Sequence, residues 1–346
     1  MTLSLSIDRA SLPIETPFEI ARGRQEHAEV VFVTLESPEH TGYGAAAPAP
    51  RYGETADTVE TVLERLRPSV EAIDDIHRLD AHRQQLSASI QETPAAHAAI
   101  EMALQDLRAK ALGVPLYRLW GLDPTQTVQT SYTIGIAAPE TMADRAAAAV
   151  ADGHEVLKIK LGTEEDRAIV AAIREAAPDA RIRVDANEAW TAQEAIRMSR
   201  TLAEYDIEFL EQPVPAAHPD ALRRVTRRSA VPIAADESCR TVSDIPQIAD
   251  ACDIVNLKLM KCGGLGAARR MIATARAHGL EVMLGCMVES NASIAAAAQL
   301  APLLDYADLD GALLLADDPF AGVPFSDDRV DLQALDRPGT GARPDR

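Results

Sequence analysis

The sequence is short of lysine, cysteine and aromatic residues, and it has no long hydrophobic run. Its 346 residues carry 34 Lys and Arg against 53 Asp and Glu, so the formal net charge is −19. This balance excludes a surface for nucleic acid or anionic membrane, because such partners need clustered basic side chains. The first residues lack the basic and apolar regions of a signal peptide, and no stretch reaches the roughly 18 apolar residues of a membrane span. We therefore expect a cytoplasmic protein.

Cysteine is scarce and widely spaced, so neither a zinc site nor a disulfide framework is indicated. The four cysteines are Cys239, Cys252, Cys262 and Cys286. With 47% hydrophobic and 25% charged residues, disorder is excluded as the main state. The length exceeds one ordinary core and favours two domains or one large α/β barrel.

The chain divides into an α+β first third and a repeating β/α remainder. Strand-like runs at Leu3–Ile7 and Val30–Leu35 precede helical stretches at Thr55–Ala72 and Ala95–Ala111. From about Val128, short β-branched runs alternate with Ala-rich helical stretches, which predicts parallel strands closed into a barrel. The eight predicted strands are Val128–Ile136, Val156–Leu161, Arg181–Ala186, Phe209–Pro213, Pro232–Ser238, Asp253–Leu259, Glu281–Met287 and Tyr306–Gly311.

We place the domain boundaries at residues 1–124 for the first domain, 125–315 for the barrel and 316–346 for a C-terminal segment. The last part of that segment, Arg337–Arg346, is rich in Gly, Pro, Arg and Asp, and we expect it to fray.

Three carboxylates each follow an apolar run, on three consecutive predicted strands. They are Asp185, Glu211 and Asp236. The carboxyl ends of parallel barrel strands converge on one face, so these side chains should meet there. Any one of them alone would be interpreted as a helix cap or a salt bridge. Three at matching positions, without histidine or cysteine nearby, predict a hard oxygen site suited to Mg²⁺.

Lysine is rare, and four of the five lysines fall in two short clusters. Lys158 and Lys160 lie two residues apart in one predicted strand, so both should point into the barrel mouth. Lys258 lies four strands later, across an eight-stranded ring. An amine held near other cations has a lowered pKa and can act as a base. We interpret Lys261 as structural, because it does not share the face of Lys258. For the other lysines, the alternative to a catalytic role is a buried pair with a structural role.

Opposed lysines beside a divalent metal suit the removal of a proton from the carbon next to a carboxylate. The metal stabilises the negative charge of the enediolate that forms. If one lysine takes the proton and the other returns one to the opposite face, the stereocentre is inverted. A racemase or epimerase therefore fits two lysines best, whereas a cycloisomerase or syn dehydratase needs only one as base.

The motifs Lys-Ile-Lys, Asp-Ala-Asn, Glu-Gln-Pro, Asp-Glu-Ser and Asn-Leu-Lys-Leu, in this order and spacing, resemble the enolase superfamily, and within it the muconate-lactonizing subgroup. The resemblance covers essentially the whole chain. It implies a modified TIM barrel with an α+β N-terminal capping domain completed by the C-terminal segment. It also implies that Lys160 and Lys258 are the acid/base pair and that Lys158 polarises the substrate carboxylate. Asp185, Glu211 and Asp236 would then bind Mg²⁺.

The eighth predicted strand carries Asp308 and Asp310 on one face at the barrel mouth. Two carboxylates beyond the metal ligands suit a cationic group, such as the free ammonium of a dipeptide, although ordinary barrel-end carboxylates are the alternative. The pair resembles that of the dipeptide epimerases, as does Gly-Cys-Met-Val-Glu-Ser on the seventh strand. The resemblance therefore implies that the substrate is bound by Lys158, Asp308, Asp310, Thr133, Met287 and Arg24.

Two cap segments, Pro17–His27 and Pro48–Glu54, should close over the barrel as a lid and select the substrate side chain. Arg22 and Arg24 would pair with an acidic second residue, whereas a neighbouring glutamate would attract a cationic one. In the Ala-Glu epimerases one arginine of this loop performs the recognition, and counting along the loop places that position on Gly23. An acidic, cationic or hydrophobic second residue therefore stays open.

Three functional hypotheses follow from these observations. The first is an Mg²⁺-dependent dipeptide epimerase, expected to be a homo-oligomer by the same resemblance. The second is an o-succinylbenzoate synthase, an N-succinylamino-acid racemase or a muconate-type cycloisomerase, which uses the same lysines on a substrate without the ammonium. The third is a catalytically silent barrel that serves as a binding protein, although a decayed site should have lost at least one of the six charged positions.

Overall fold

The computed structural model describes residues 2–89 and 93–345. The first third is a three-stranded antiparallel sheet, in the order β1-β2-β3, packed against helices; this unit is called the cap. Its strands are β1 (Ser4–Ile20), β2 (Gly23–Glu36) and β3 (Thr41–Ala46). Its helices are α1 (Ala56–Glu71), α2 (Leu79–Ser89), α3 (Pro94–Ala111) and α4 (Leu116–Leu119).

The cap is held together by an alanine-rich helix packed tightly on a glycine-containing strand. Helix α3 is buried along almost its whole length. A Cβ atom at Gly44 of β3 would lie 2.1 Å from the carbonyl oxygen of Ala99, so only glycine permits this approach. Helix α1 starts at a capping box between Thr55 and Thr58, which satisfies backbone N–H groups of its first turn.

The rest of the chain forms the expected barrel of eight parallel strands, in sequential order from β4 to β11. Residues 130 and 131 close the ring: Thr130 bridges to Ala307, and the Ser131 N–H donates to the Ala307 carbonyl at 3.1 Å. Each strand overlaps one predicted from the sequence, which confirms the barrel. The strands are β4 (Tyr132–Ile134), β5 (Val156–Lys160), β6 (Arg181–Asp185), β7 (Ile207–Glu211), β8 (Ile233–Ala235), β9 (Ile254–Leu257), β10 (Glu281–Gly285) and β11 (Tyr306–Asp308).

Helices surround the barrel and bury one face each against the strands. In α6, Ile169, Val170 and Ile173 are buried at the spacing of one helix face. The barrel helices are α5 (Pro139–Ala151), α6 (Asp166–Ala176), α7 (Ala192–Glu204), α8 (Pro219–Thr226), α9 (Ile245–Ile248), α10 (Leu259–Cys262), α11 (Leu265–Ala277) and α12 (Asn291–Ala298). No helix within residues 2–89 and 93–345 is long and apolar enough to cross a membrane.

The barrel interior is filled by alternate side chains of the strands. Phe209, Ala234, Ile254 and Met283 form a small buried cluster there. Arg183 is also buried inside, with its guanidinium 5.4 Å from the centre of the Phe209 ring, and its Nε donates to Glu208 at 2.7 Å. The inward-facing residues that follow at the carboxyl ends of the strands are charged, and they form the candidate site.

The C-terminal residues pack against the cap and the barrel. Four short strands occur there: β12 (Phe320–Ala321), β13 (Phe325–Ser326), β14 (Arg329–Val330) and β15 (Arg343–Pro344). We expected residues 337–346 to fray, but β15 pairs with β12 and Thr340 N–H donates to Asp106 at 2.7 Å. Backbone pairing and a buried acceptor therefore fix the tail as far as Asp345; Arg346 lies outside the described residues.

Candidate active site

The three predicted metal ligands meet at the barrel mouth. Asp185 and Glu211 are paired residues at the ends of adjacent strands β6 and β7, and Asp236 directly follows β8. All three are buried, and one carboxylate oxygen from each lies within 4.8 Å of the others. Oxygens around Mg²⁺ lie about 3 to 4 Å from one another, since each metal–oxygen distance is about 2.0–2.1 Å. A buried, all-carboxylate set at this spacing fits Mg²⁺ after a small adjustment.

The predicted lysines flank this carboxylate cluster from two sides. Lys160 Nζ lies 2.6 Å from Asp185 Oδ2, and Lys258 Nζ lies 2.9 Å from Asp236 Oδ2. Lys160 ends β5, whereas Lys258 follows β9, four strands further around the ring. Lys158 lies between them and the last strand, 2.8 Å from Glu211 Oε2 and 2.7 Å from Asp308 Oδ2. The structure therefore brings all three lysines and all three metal-ligand candidates into one buried cluster.

Carboxylates set the protonation of the buried lysines. Burial lowers the pKa of Lys158, but Asp308, Glu211 and Asp185 outweigh burial and raise it well above the ordinary value. Burial likewise lowers the pKa of Lys258, but the charge of Asp236, together with smaller contributions from Tyr52 and Glu211, outweighs burial and raises that pKa well above the ordinary value. This direction is opposite to the lowered pKa expected from the sequence, because the nearest neighbours of both amines are carboxylates and not cations.

Lys261 also contacts the cluster, which its position in the sequence did not indicate. It is fully buried in α10, and its Nζ donates to the Asp236 carbonyl at 2.7 Å and to the Asn256 carbonyl at 2.9 Å, and also contacts Asp236 Oδ1. Burial raises the pKa of Asp236, but Lys258 and Lys261 outweigh burial and hold that pKa far below its usual range. Lys261 therefore fixes Asp236 in its ionised form without facing the cavity.

The two aspartates of the eighth strand differ in their surroundings. Asp308 accepts from the Ser131 hydroxyl at 2.6 Å and is paired with Lys158. Asp310 accepts from the Thr133 backbone N–H at 2.6 Å. Burial raises the pKa of Asp308, but Lys158, Lys160 and the Ser131 hydrogen bond together outweigh burial and lower that pKa to about 2. Burial and the charge of Asp308 raise the pKa of Asp310 to about 7. One aspartate is thus neutralised within the protein, and the other has no basic partner among the described residues.

A cavity of about 590 Å³ lies between this cluster and the cap. Its charged lining includes the three active-site lysines, Asp308 and Asp310. Its apolar lining comes from both the cap and the barrel side and includes Phe18, Ile20, Ala47, Met287, Val288 and Leu314. Thr133, Arg22 and Arg24 also line the cavity, so every predicted substrate-binding residue is found there. The metal-ligand candidates lie beneath it.

The predicted lid loop Pro17–His27 is the tip of the β1–β2 hairpin and not an irregular loop. Gly23 has φ of 150°, in the region that favours glycine. A side chain would therefore be strained at the position where counting placed the recognition arginine. Arg24 is 56% exposed and lies 3.1 Å from Glu26, which is 61% exposed.

Two cap arginines are held by glutamates of the barrel, an arrangement that the sequence did not reveal. Arg51 makes two bonds to Glu188, at 2.8 and 2.9 Å, and Arg22 Nη1 lies 3.2 Å from the same carboxylate. Arg22 Nη1 also lies 2.7 Å from Glu237 Oε1. Glu188 has φ of 71°, a left-handed conformation that is costly for a residue other than glycine. We call Arg22, Arg51, Glu188 and Glu237 the lid latch.

Together, the barrel, the buried carboxylate cluster with flanking lysines and the covering cap define a metal-assisted acid–base enzyme of the (β/α)-barrel class. The chain belongs to the enolase superfamily: residues 4–121 match the N-terminal domain of the mandelate racemase / muconate lactonizing enzymes, and residues 141–346 match the enolase C-terminal domain-like family.

Several relatives in this family are dipeptide epimerases. The chain is 43% identical over 342 residues to a hydrophobic dipeptide epimerase of Roseobacter litoralis, covering 94% of each chain. It is 37% identical over 332 residues to an L-Ala-D/L-Glu epimerase of Bacteroides thetaiotaomicron, covering 95% of this chain and 85% of the relative. A crystal structure of an Enterococcus faecalis dipeptide epimerase, complexed with Mg and L-Leu-L-Tyr, has a TM-score of 0.93 at 34% identity and 99% coverage of both chains.

Proposed function

We propose that this protein is an Mg²⁺-dependent dipeptide epimerase. It would invert the α-carbon of the C-terminal residue of a dipeptide by moving protons between two lysines and an enediolate. The observation that carries this proposal is the placement of Lys160 and Lys258. They reach the same carboxylate cluster from strands four positions apart in an eight-stranded ring, so a substrate carbon between them would have one amine on each side.

Asp185, Glu211 and Asp236 would hold the metal ion. Bound Mg²⁺ would neutralise the charge that develops on the substrate carboxylate when the α-proton leaves. The protein itself provides a buried setting in which such charge interactions are strong, since all three carboxylates are buried.

The lysines would exchange roles with the direction of the reaction. The charge of a bound Mg²⁺ would counter the carboxylates that raise the pKa of Lys258, and so favour a neutral amine there. As a neutral amine, Lys160 or Lys258 takes the α-proton from one face, and the other lysine, as an ammonium, donates a proton to the opposite face. Lys158 would stay protonated, because three carboxylates raise its pKa well above the ordinary value in spite of burial. Its permanent charge suits a role next to the substrate carboxylate.

Asp308 and Asp310 would hold the N-terminal ammonium of the dipeptide. Asp310 has no basic partner among the described residues and lines the cavity, so a substrate cation would be its natural counter-ion. This feature favours a dipeptide over the N-succinyl substrates of the alternative hypothesis, whose amino group carries no charge.

The cavity supports a hydrophobic second residue in the dipeptide more than an acidic one. Phe18, Ile20 and Leu314 line it, while Arg22 is already neutralised by two glutamates of the lid latch. An acidic substrate side chain would have to displace Glu237, which is buried. Arg51 of the other lid segment is likewise paired with Glu188, and Arg24 is exposed and paired with Glu26.

The test is a dipeptide library incubated with the protein and Mg²⁺ in D₂O, read by mass spectrometry and NMR. Deuterium should enter at the second α-carbon, most rapidly with hydrophobic second residues, and EDTA should abolish the exchange. Failure to exchange any dipeptide would refute the proposal. If instead an N-succinylamino acid is racemised and the activity survives Asp308→Asn and Asp310→Asn, the alternative hypothesis is correct.

We also propose that the protein is a cytoplasmic homo-oligomer. Its four cysteines are free thiols, as a reducing compartment would keep them. Light scattering at micromolar concentration measures the oligomeric state directly.

A further inference from the structure

A second cleft, of about 930 Å³, lies between the cap and a barrel helix. Its walls are the residues at the start of α2, one face of α3 and the outer face of α11, and Trp120 lies at one end. It shares no lining residue with the active-site cavity in the described parts of the chain. Five arginines line it, and we call it the arginine cleft: Arg78, Arg83, Arg108, Arg269 and Arg270.

The charge of the arginine cleft is opposite to that of the whole protein. The chain carries 53 acids against 34 basic residues, whereas the described residues that line the cleft include five arginines and two carboxyl groups, Asp80 and Glu101. In the described residues, Arg83 makes the cleft's one ion pair, with Asp80 at 2.9 Å. Burial, together with the charge of Arg83, lowers the pKa of Arg270. The mutual repulsion of these arginines costs free energy even beside Asp80 and Glu101, and a bound anion would offset that cost.

The floor of the cleft contains polar atoms that lack partners. Glu101, Gln105 and Arg108 lie on one face of α3, at spacings of four and three residues. The Gln105 amide donates to Glu101 at 3.2 Å, but Gln105 Oε1 and Arg108 Nε are buried without a hydrogen-bond partner within residues 2–89 and 93–345. Gln105 is only 6% exposed. A ligand that both accepts and donates hydrogen bonds would satisfy this floor.

One arginine of the rim is held in place before any ligand binds. The Arg269 guanidinium lies 4.9 Å from the centre of the Trp120 ring, a cation–π contact that orients its planar fork. Such a fork binds two oxygens of a phosphate or carboxylate at once.

We propose that the arginine cleft binds a phosphate group, either free phosphate or a small phosphate monoester. The five arginines exceed Asp80 and Glu101 by three charges, so a phosphate dianion would offset two of them, and its anionic oxygens accept from Arg108 Nε and the rim arginines. A hydroxyl of the ligand, on phosphorus or on the ester, donates to Gln105 Oε1. Sulfate has the same shape and charge but no hydroxyl, so it lacks the second interaction. This proposal does not depend on the epimerase activity, because the two cavities are separate.

Isothermal titration of the intact protein tests the proposal, in EDTA without dipeptide and at constant ionic strength. The probes are inorganic phosphate, glycerol 3-phosphate and sulfate. Phosphate should bind at least about tenfold more tightly than sulfate, and Arg270→Gln or Arg269→Gln should weaken phosphate about tenfold, since each removes a hydrogen bond to a charged group. Arg200→Gln, an exposed arginine of α7 without an ion pair in the described residues, is the matched control and should change nothing.

The outcomes separate the sources and the alternatives. Tighter binding of glycerol 3-phosphate identifies a phosphorylated metabolite as the ligand, and tighter binding of inorganic phosphate identifies the free ion. The proposal is overturned if inorganic phosphate and glycerol 3-phosphate both fail to bind at about 10 mM, where even weak specific binding would be detected. It is also overturned if Arg200→Gln weakens the binding of phosphate as much as Arg270→Gln does. It is also overturned if the cleft variants dissociate an oligomer, because the cleft would then be an interface between copies of the chain.

Discussion

Replacing Glu188 with glutamine should loosen the lid without altering a metal-ligand candidate or a lysine. The carboxylate accepts two bonds from Arg51 and one from Arg22, and it also accepts from the Ala216 N–H at 2.7 Å. A glutamine has a single acceptor oxygen, and its amide hydrogens would face the guanidinium groups. The variant therefore loses the attraction that joins both cap segments to the barrel.

The size of the effect follows from the exposure of the arginines. Hydrogen bonds to charged groups contribute about 1.5–3 kcal/mol, but solvent weakens exposed pairs. Arg51 is 43% exposed and Arg22 is 32% exposed, so we take about 1 kcal/mol for each. A total loss of about 2 kcal/mol in lid closure lowers the apparent affinity for a substrate held under the lid about 30-fold.

Steady-state kinetics with the best dipeptide from the library screen measures this effect. We expect Glu188→Gln to raise KM by up to about 30-fold with a smaller change in kcat, and limited proteolysis should cut the hairpin tip faster. Glu26→Gln is the control, because its partner Arg24 is in the same hairpin but the pair is exposed and joins nothing to the barrel. A KM within twofold of the wild-type value, or a fall in kcat alone, would show that Glu188 does not hold the lid.

Three further predictions concern the lysines and two carboxyl groups. Lys160→Ala and Lys258→Ala should each reduce epimerisation at least about 100-fold. Each variant should keep α-proton exchange with only one epimer of the dipeptide. Equal loss of exchange with both epimers would contradict the placement of the two lysines on opposite sides of the substrate carbon. Because the pKa of Asp310 is raised to about 7, kcat/KM for a dipeptide with a free ammonium should fall as the pH drops below about 7. If this decrease at low pH persists in Asp310→Asn, the titrating group is a different residue. Burial raises the pKa of the Glu54 carboxyl group from 4.5 to about 7, so the folded protein holds the proton of this group more tightly than the unfolded chain does. The folded protein therefore loses stability as the pH rises from about 4.5 to about 7. In Glu54→Gln the amide oxygen can still accept from the Ala95 N–H. The melting temperature of this variant should therefore be higher than that of the wild type at pH 8 and equal to it at pH 4.5. Equal melting temperatures at pH 8 would contradict the raised pKa of Glu54.

The positions of the metal-ligand candidates could be predicted because parallel topology leaves little freedom. Asp185, Glu211 and Asp236 each end an apolar run, and the ends of neighbouring parallel strands must lie side by side. The alternation of strand side chains likewise placed Lys158 and Lys160 on one face. Short-range regularities of this kind are properties of the strand itself, so a local pattern is enough to infer them.

The protonation of the lysines could not be predicted in this way. From the sequence, the neighbours of Lys258 were expected to be cations, but its nearest charged group is Asp236 at 2.9 Å. From the sequence, no contact between Lys261 and the site was expected. In the fold, Lys261 lies in α10 and its Nζ donates a hydrogen bond to the Asp236 carbonyl, next to the end of β8. The pKa of a buried group depends on distances of a few ångströms, which are set only when all elements are packed.

The amino-acid sequence by itself determined the eight-stranded barrel, the carboxylates and lysines at its mouth and the family to which the chain belongs. The tertiary structure decided which of those charges are already satisfied and which remain for a ligand. Arg22 and Arg51 lie more than a hundred residues from Glu188 in the chain, and Asp308 meets Lys158 across the closed ring. Long flexible side chains from distant segments can choose among many partners, and only the packed fold selects one. The same holds for the arginine cleft, whose walls come from helices of both domains.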